Sequence, residues 1–115
     1  MFSCSAGGTV FALSFADVAD PARVGVALDE LALAMQSHIQ SPAPAASEPV
    51  GVPGMTPHAH SAQWRLAGRL PDGRTVQERS ALFSYGTRVY QATMLGAQLD
   101  VQAQDMFFGG LRVGP

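Results

Sequence analysis

The chain has 115 residues, 47% of them apolar and 14% charged, with a formal net charge of −2. That length supports one domain with one sizeable core, and the composition is too apolar for a disordered segment. The near-neutral balance gives no electrostatic reason to expect nucleic acid, and no apolar run approaches the length that crosses a bilayer.

Met1–Ser5 and Thr9–Ala16 flank Ala6-Gly7-Gly8, a pair of short apolar runs around a hairpin turn. In the second run Phe11, Leu13 and Phe15 share one face, which is expected to point at the core. Nothing before residue 1 covers the outer edge of the first strand, and this predicts a homodimer through that N-terminal edge strand. The single cysteine, Cys4, excludes an internal disulfide and reads as a small buried hydrophobe within the strand.

Asp20 and Pro21 form a helix start. Val24, Leu28, Leu31, Met35 and Ile39 then recur at helical spacing, with Ala27 and Ala34 widening the stripe, so a long helix over about 21–38 should lie across one sheet face. Residues 41–57 hold five prolines. They are expected to form a crossover loop, with Val50 and Val52 as a short edge strand.

Residues 61–96 read as a three-stranded antiparallel meander. Trp64, Leu66 and Leu70 share one face of its first strand, and Gln63, Arg65, Ala67 and Arg69 share the other. Pro71-Asp72-Gly73 and Gly86-Thr87 are the turns. The third strand is apolar on both faces, which suits the middle of a sheet. Asp100 caps a short helix over about 100–108, with Ala103, Met106 and Phe107 inward, before Gly109-Gly110. Leu111–Val113 is expected as a last strand. The fold class is α+β: one domain over 1–115, an antiparallel sheet of about five to six strands, and both helices packed on it.

Three stretches carry a resemblance. They are Phe11–Pro21 leading into the helix, Leu70-Pro-Asp-Gly-Arg followed by Ala81–Gly96, and the closing Asp105-Met-Phe-Phe-Gly-Gly-Leu-Arg-Val. Together they resemble the bacterial domains of the PsbP-like fold. The resemblance implies an antiparallel sheet between helices, with further N-terminal strands and often a helix upstream of this start. It also implies a binding or accessory module, since bacterial relatives resemble envelope proteins and the plant relative is an accessory subunit of photosystem II.

Residues 61–95 hold five of the seven arginines, and lysine is absent. Arg65 and Arg69 on one strand, with Arg79 on the next, form a candidate basic patch for a carboxylate, a phosphate or an acidic partner. Glu78 is its expected local counter-charge, and Asp72 and Glu78, flanking a turn, are poor candidates for a buried acid–base pair. His58 and His60 form a His-x-His pair that suits a metal if His38, Glu48 or Cys4 supplies a third ligand. No nucleophile elbow, phosphate loop or triad spacing is present. The sequence therefore points to a non-enzymatic module without a cofactor, binding a protein partner or a small ligand. The alternatives are a pocket enzyme using Tyr85, Tyr90 or His60, and a metal-binding accessory protein. The core expected behind this reading is one dry interior built from Trp64, Leu66, Phe83, Tyr90 and the Val24–Ile39 seam.

Overall fold

Gly7 and Gly8 have φ of +58° and +81°. Two consecutive left-handed residues make a turn whose twist matches a hairpin, and β1 (Phe2–Ala6) folds back on β2 (Thr9–Asp17) with Ala6 opposite Thr9. The computed structural model describes residues 2–40 and 46–114. After β2, the Asp20 carboxylate accepts a hydrogen bond from the Ala22 amide (2.9 Å), and a 3₁₀ turn over Pro21–Arg23 leads into α1 (Val24–His38). The expected helix over 21–38 therefore stands, with its first turn wound more tightly.

Four further strands follow, β3 (Ala46–Glu48), β4 (Ala62–Arg69), β5 (Thr75–Tyr85) and β6 (Arg88–Gly96), and then α2 (Val101–Gly109). All strand pairs are antiparallel, in the order β1-β2-β6-β5-β4-β3. The protein is thus an α+β domain with a six-stranded antiparallel sheet. The strand that is apolar on both faces, β6, lies inside it.

The sheet has a separate interior on each side. Under α1, Val24, Leu28 and Ala32 pack with Leu82 and Val89, while Met35 and Ile39 pack with Leu66 and Val76; Trp64 lies against both groups. On the other side Val52, Ala81, Phe83 and Ala92 are covered by Tyr90, Phe107, Phe108, Leu111 and Val113. The single interior expected from the sequence is therefore divided. Trp64 and Leu66 face α1, whereas Phe83 and Tyr90 face α2, because strand register places them on opposite sides of the pleat.

The end of α1 is seated by a close backbone approach. The Arg69 amide donates to the Ile39 carbonyl at 2.6 Å, and a Cβ built on Gly68 would lie 2.0 Å from that same oxygen. Only a glycine lets β4 come this near.

Several local expectations are corrected. Val50 and Val52 are not a strand; Val52 is buried in irregular chain against β5, and the edge strand is β3, inside the Pro-rich segment. Residues 41–45 of that segment lie outside the described residues. Leu111–Val113 is irregular too, held by one bond from the Val113 amide to the Pro53 carbonyl (3.1 Å). Cys4 is exposed, because β1 is the outermost strand and the interior clusters do not extend to it. In α2, Met106 points to solvent, and the inward positions are Gln104, Phe107 and Phe108. Ala32, not Ala34, continues the buried stripe of α1.

Candidate functional site

The turn after β4 sets the register that builds the site. Arg69 pairs with Thr75, so Arg65 falls directly opposite Arg79 on the α2 side of the sheet. Like charges at facing positions are unfavourable unless acceptors surround them. Gln104, on α2, supplies one: its Oε1 accepts from Arg79 Nη1 (3.3 Å) and from Arg65 Nη1 (3.4 Å). The Gln104 amide nitrogen donates in turn to the Leu99 carbonyl (3.1 Å), which fixes the orientation of the side chain. Arg79 Nη2 donates to Gln63 Oε1 (3.0 Å), and the guanidinium lies over the Phe108 ring, 4.3 Å from its centre. Arg65 Nε reaches Glu48 on the edge strand at 3.5 Å.

The two arginines differ in their surroundings. Arg65 is exposed; Arg79 is half-buried, and its Nε is enclosed without a hydrogen-bond partner. Burial, and then the charge of Arg65, lower the pKa of Arg79, while Asp105 and Glu48 act in the opposite direction. A cleft of about 310 Å³ opens on one side of Arg79, between Ala67, Gln77, Leu99 and Gln104. A second, of about 290 Å³, opens on the other side against Val52, Asp105 and Phe108. The arrangement can present paired N–H donors to a carboxylate or phosphate oxygen. Nothing in it resembles a nucleophile beside a base.

Of the predicted basic patch, the fold joins Arg65 and Arg79 and leaves Arg69 aside. Arg69 lies two positions along the same face and lines a different hollow, with Gln40, Thr75 and Ala97. Glu78 is not their counter-ion. It points to the α1 side, 5% exposed, between Leu66 and Leu95 on the neighbouring strands. Ser80 Oγ donates to its Oε2 (3.2 Å) and meets Thr93 Oγ1 at 2.8 Å. Burial raises the Glu78 carboxyl to about 7, a shift that the Ser80 hydrogen bond only partly opposes. The expectation of an exposed residue near a turn fails because β5 extends past the turn and turns Glu78 inward.

His58 and His60 lie together, ring centres 5.3 Å apart, beside the first turns of α1. The Thr56 amide donates to the Ser84 carbonyl and fixes the start of their loop. His60 Nδ1 donates to the Asp29 carboxylate (2.8 Å), and the His60 amide donates to His58 Nδ1 (3.0 Å). Among the described residues no three histidine, cysteine or acidic side chains converge to hold a metal. Of the third ligands suggested by the sequence, His38 is at the far end of α1 and Cys4 is on β1, while Glu48 lines the same open hollow as His58 but contacts Arg65. The three residues named for a pocket enzyme lie apart, and Tyr85 is exposed at the end of β5. Tyr90 stacks on Phe83 on the α2 side, and His60 contacts α1 on the other.

Gln63, Gln104 and Phe108 were not among the sequence candidates, and Glu48 was one only as a metal ligand. The β4–β5 turn offered one signal: counting back from it pairs 65 with 79 and places Gln63 on the same face. No periodicity reveals that a glutamine is the inward residue of α2.

Fold and site thus define an α+β domain with a facing arginine pair on one sheet face, Arg65 exposed and Arg79 half-buried. Comparison of the chain with protein-family models, with curated proteins and with solved structures gives no match.

Proposed function

We propose that the protein is a non-enzymatic binding or accessory module of the bacterial cell envelope, engaging an acidic group of its partner or ligand through Arg65 and Arg79. The observation that carries this reading is the facing guanidinium pair with clefts on both sides of it. Two cations share one neutral amide oxygen; Glu48 touches only the outer arginine, at a loose 3.5 Å, and Asp105 acts on Arg79 through its charge from beyond contact distance. An incoming carboxylate or phosphate would relieve that repulsion and add charge-assisted bonds. The envelope setting and the accessory role rest on the resemblance to PsbP-like domains. Self-association through the β1 edge belongs to the same reading.

Amide NMR spectra titrated with inorganic phosphate, and separately with a short polyglutamate peptide, test it. The expected result is shifts centred on Gln63, Arg65, Arg79 and Gln104, with affinity reduced roughly tenfold in Arg65→Gln. Absence of shifts with both probes, or equal affinity in the variant, overturns the assignment of this surface.

A further inference from the structure

The two edges of the sheet are built differently. On one side, β3 has three residues, carries Glu48 and runs into Pro49. Short length, charge and proline are the usual means of keeping a strand edge from pairing. On the other side, β1 has five residues, Phe2-Ser-Cys-Ser-Ala, without charge or proline, and all five are exposed. Among the described residues nothing pairs with its outer edge. Phe2, 67% exposed, stacks on Phe15, 47% exposed, with ring centres 6.5 Å apart.

The turn fixes which backbone groups face outward. A two-residue hairpin makes its flanking residues a hydrogen-bonded pair, here Ala6 and Thr9. Hydrogen-bonded and non-hydrogen-bonded pairs alternate along an antiparallel ladder. Cys4 with Phe11, and Phe2 with Leu13, are therefore also bonded pairs, and the N–H and C=O groups of Ser3 and Ser5 point away from the sheet. These outward groups lie symmetrically about Cys4. A second copy related by a two-fold axis at Cys4 places Ser3 opposite Ser5 and Ser5 opposite Ser3, and each pair exchanges two bonds. Centring the axis on Ser3 or on Ser5 satisfies only that residue within β1. With no charge on the strand, two copies meet without repulsion.

Resting on the self-association reading above, we infer that two copies of this chain pair antiparallel along β1 in the register that sets Cys4 against Cys4, joining two sheets into one. Each exposed Phe2 then lies opposite the small Ala6 of the second copy, on the same face. Cys4 occupies a non-hydrogen-bonded pair, where Cα atoms are about 4.5 Å apart, inside the range a disulfide spans. A five-residue strand against its copy covers well under the ~1,200 Å² of a stable standard interface. The pairing is accordingly weak, reversible and dependent on concentration.

Sedimentation equilibrium and oxidative trapping test the inference together. The mass should rise from 12.0 kDa toward twice that value with concentration. Oxidised glutathione, which takes up the two electrons and two protons the thiols lose, should convert Cys4 to a covalent dimer. Ser5→Pro removes an outward N–H and leaves the β1–β2 ladder complete, so it should abolish both signals. In a Cys4→Ser background, Ser3→Cys faces Ser5 and should cross-link roughly tenfold more slowly than Cys4. A monomer at every concentration, without cross-linking, overturns both the association and its register. A dimer that traps through Ser3→Cys and not through Cys4, or one that persists in Ser5→Pro, overturns the register while leaving self-association standing.

Discussion

Glu78 and Arg79 are neighbours in sequence and strangers in space. The pleat of β5 sends Glu78 under α1, among Leu66, Leu95 and the Ser80–Thr93 hydroxyl pair, and sends Arg79 to the side covered by α2. The α1 side is covered by fifteen residues of continuous helix, which bury Glu78, and an open hollow of about 550 Å³ is left at Val10, Leu70, Val76 and Leu95. The α2 side is closed by nine helical residues and irregular chain, and clefts remain. A carboxyl buried under α1 is driven toward its neutral form. A guanidinium on the α2 side stays charged and keeps amide partners and an aromatic ring. An adjacent pair of opposite charges, which a linear reading takes for an ion pair, thus becomes two unrelated solutions to the cost of burying charge.

The sharpest break in this comparison comes from the cores. Leu28 is fully buried and Phe108 only half-buried. Leu28→Ala should destabilise by about 3 kcal/mol, and Phe108→Ala by about 1–2 kcal/mol, in urea unfolding. Equal losses would mean that the two sides are closed alike.

The second effect is nearly as large and depends on pH. Glu78 titrates near 4.5 in the unfolded chain and near 7 in the folded one. Below the lower value it is protonated in both states. Between them the unfolded chain releases a proton that the folded chain retains, so stability falls as pH rises. The full loss, above about 7, is of the order of 3 kcal/mol. Glu78→Gln should flatten the profile between pH 5 and 8 and exceed the parent in stability at the upper end. An unchanged slope would show that Glu78 is solvated. Asp17 and Asp72, both fully exposed and lowered by backbone hydrogen bonds from Ala19 and Arg74, act oppositely: their contribution is lost as pH falls through their folded values, below this window.

The smallest effect separates the two arginines. Arg79→Gln gives up its contacts with Gln63, Gln104 and Phe108 and should cost about 1–2 kcal/mol. Arg65→Gln, at an exposed position, should stay within about 0.5 kcal/mol. If both cost the same, the pair is one uniform surface patch.

Much of this architecture was legible in the chain itself. Gly7-Gly8, Pro71-Asp72-Gly73 and Gly86-Thr87 mark turns by backbone requirement. The stripe from Val24 to Ile39 marks a helix by period, and Asp20 and Asp100 mark helix starts by their capping oxygens. These signals are local, since each depends on residues within a few positions of one another. The candidate site was legible only in part. The charge of Arg65 and Arg79 was evident, but Gln104 lies 39 residues from Arg65, and an inward glutamine leaves no apolar trace.

The sequence by itself determined the elements and the alternation of faces, because steric preference and hydrophobic period act over short spans of chain. The tertiary structure decided which face each helix covers, and therefore which of two adjacent charges is shut away and which remains available. It also decided that the edge opposite β1 is β3 and not the stretch holding Val50 and Val52. Burial and pairing depend on segments far apart in the chain, and only their packing brings them together.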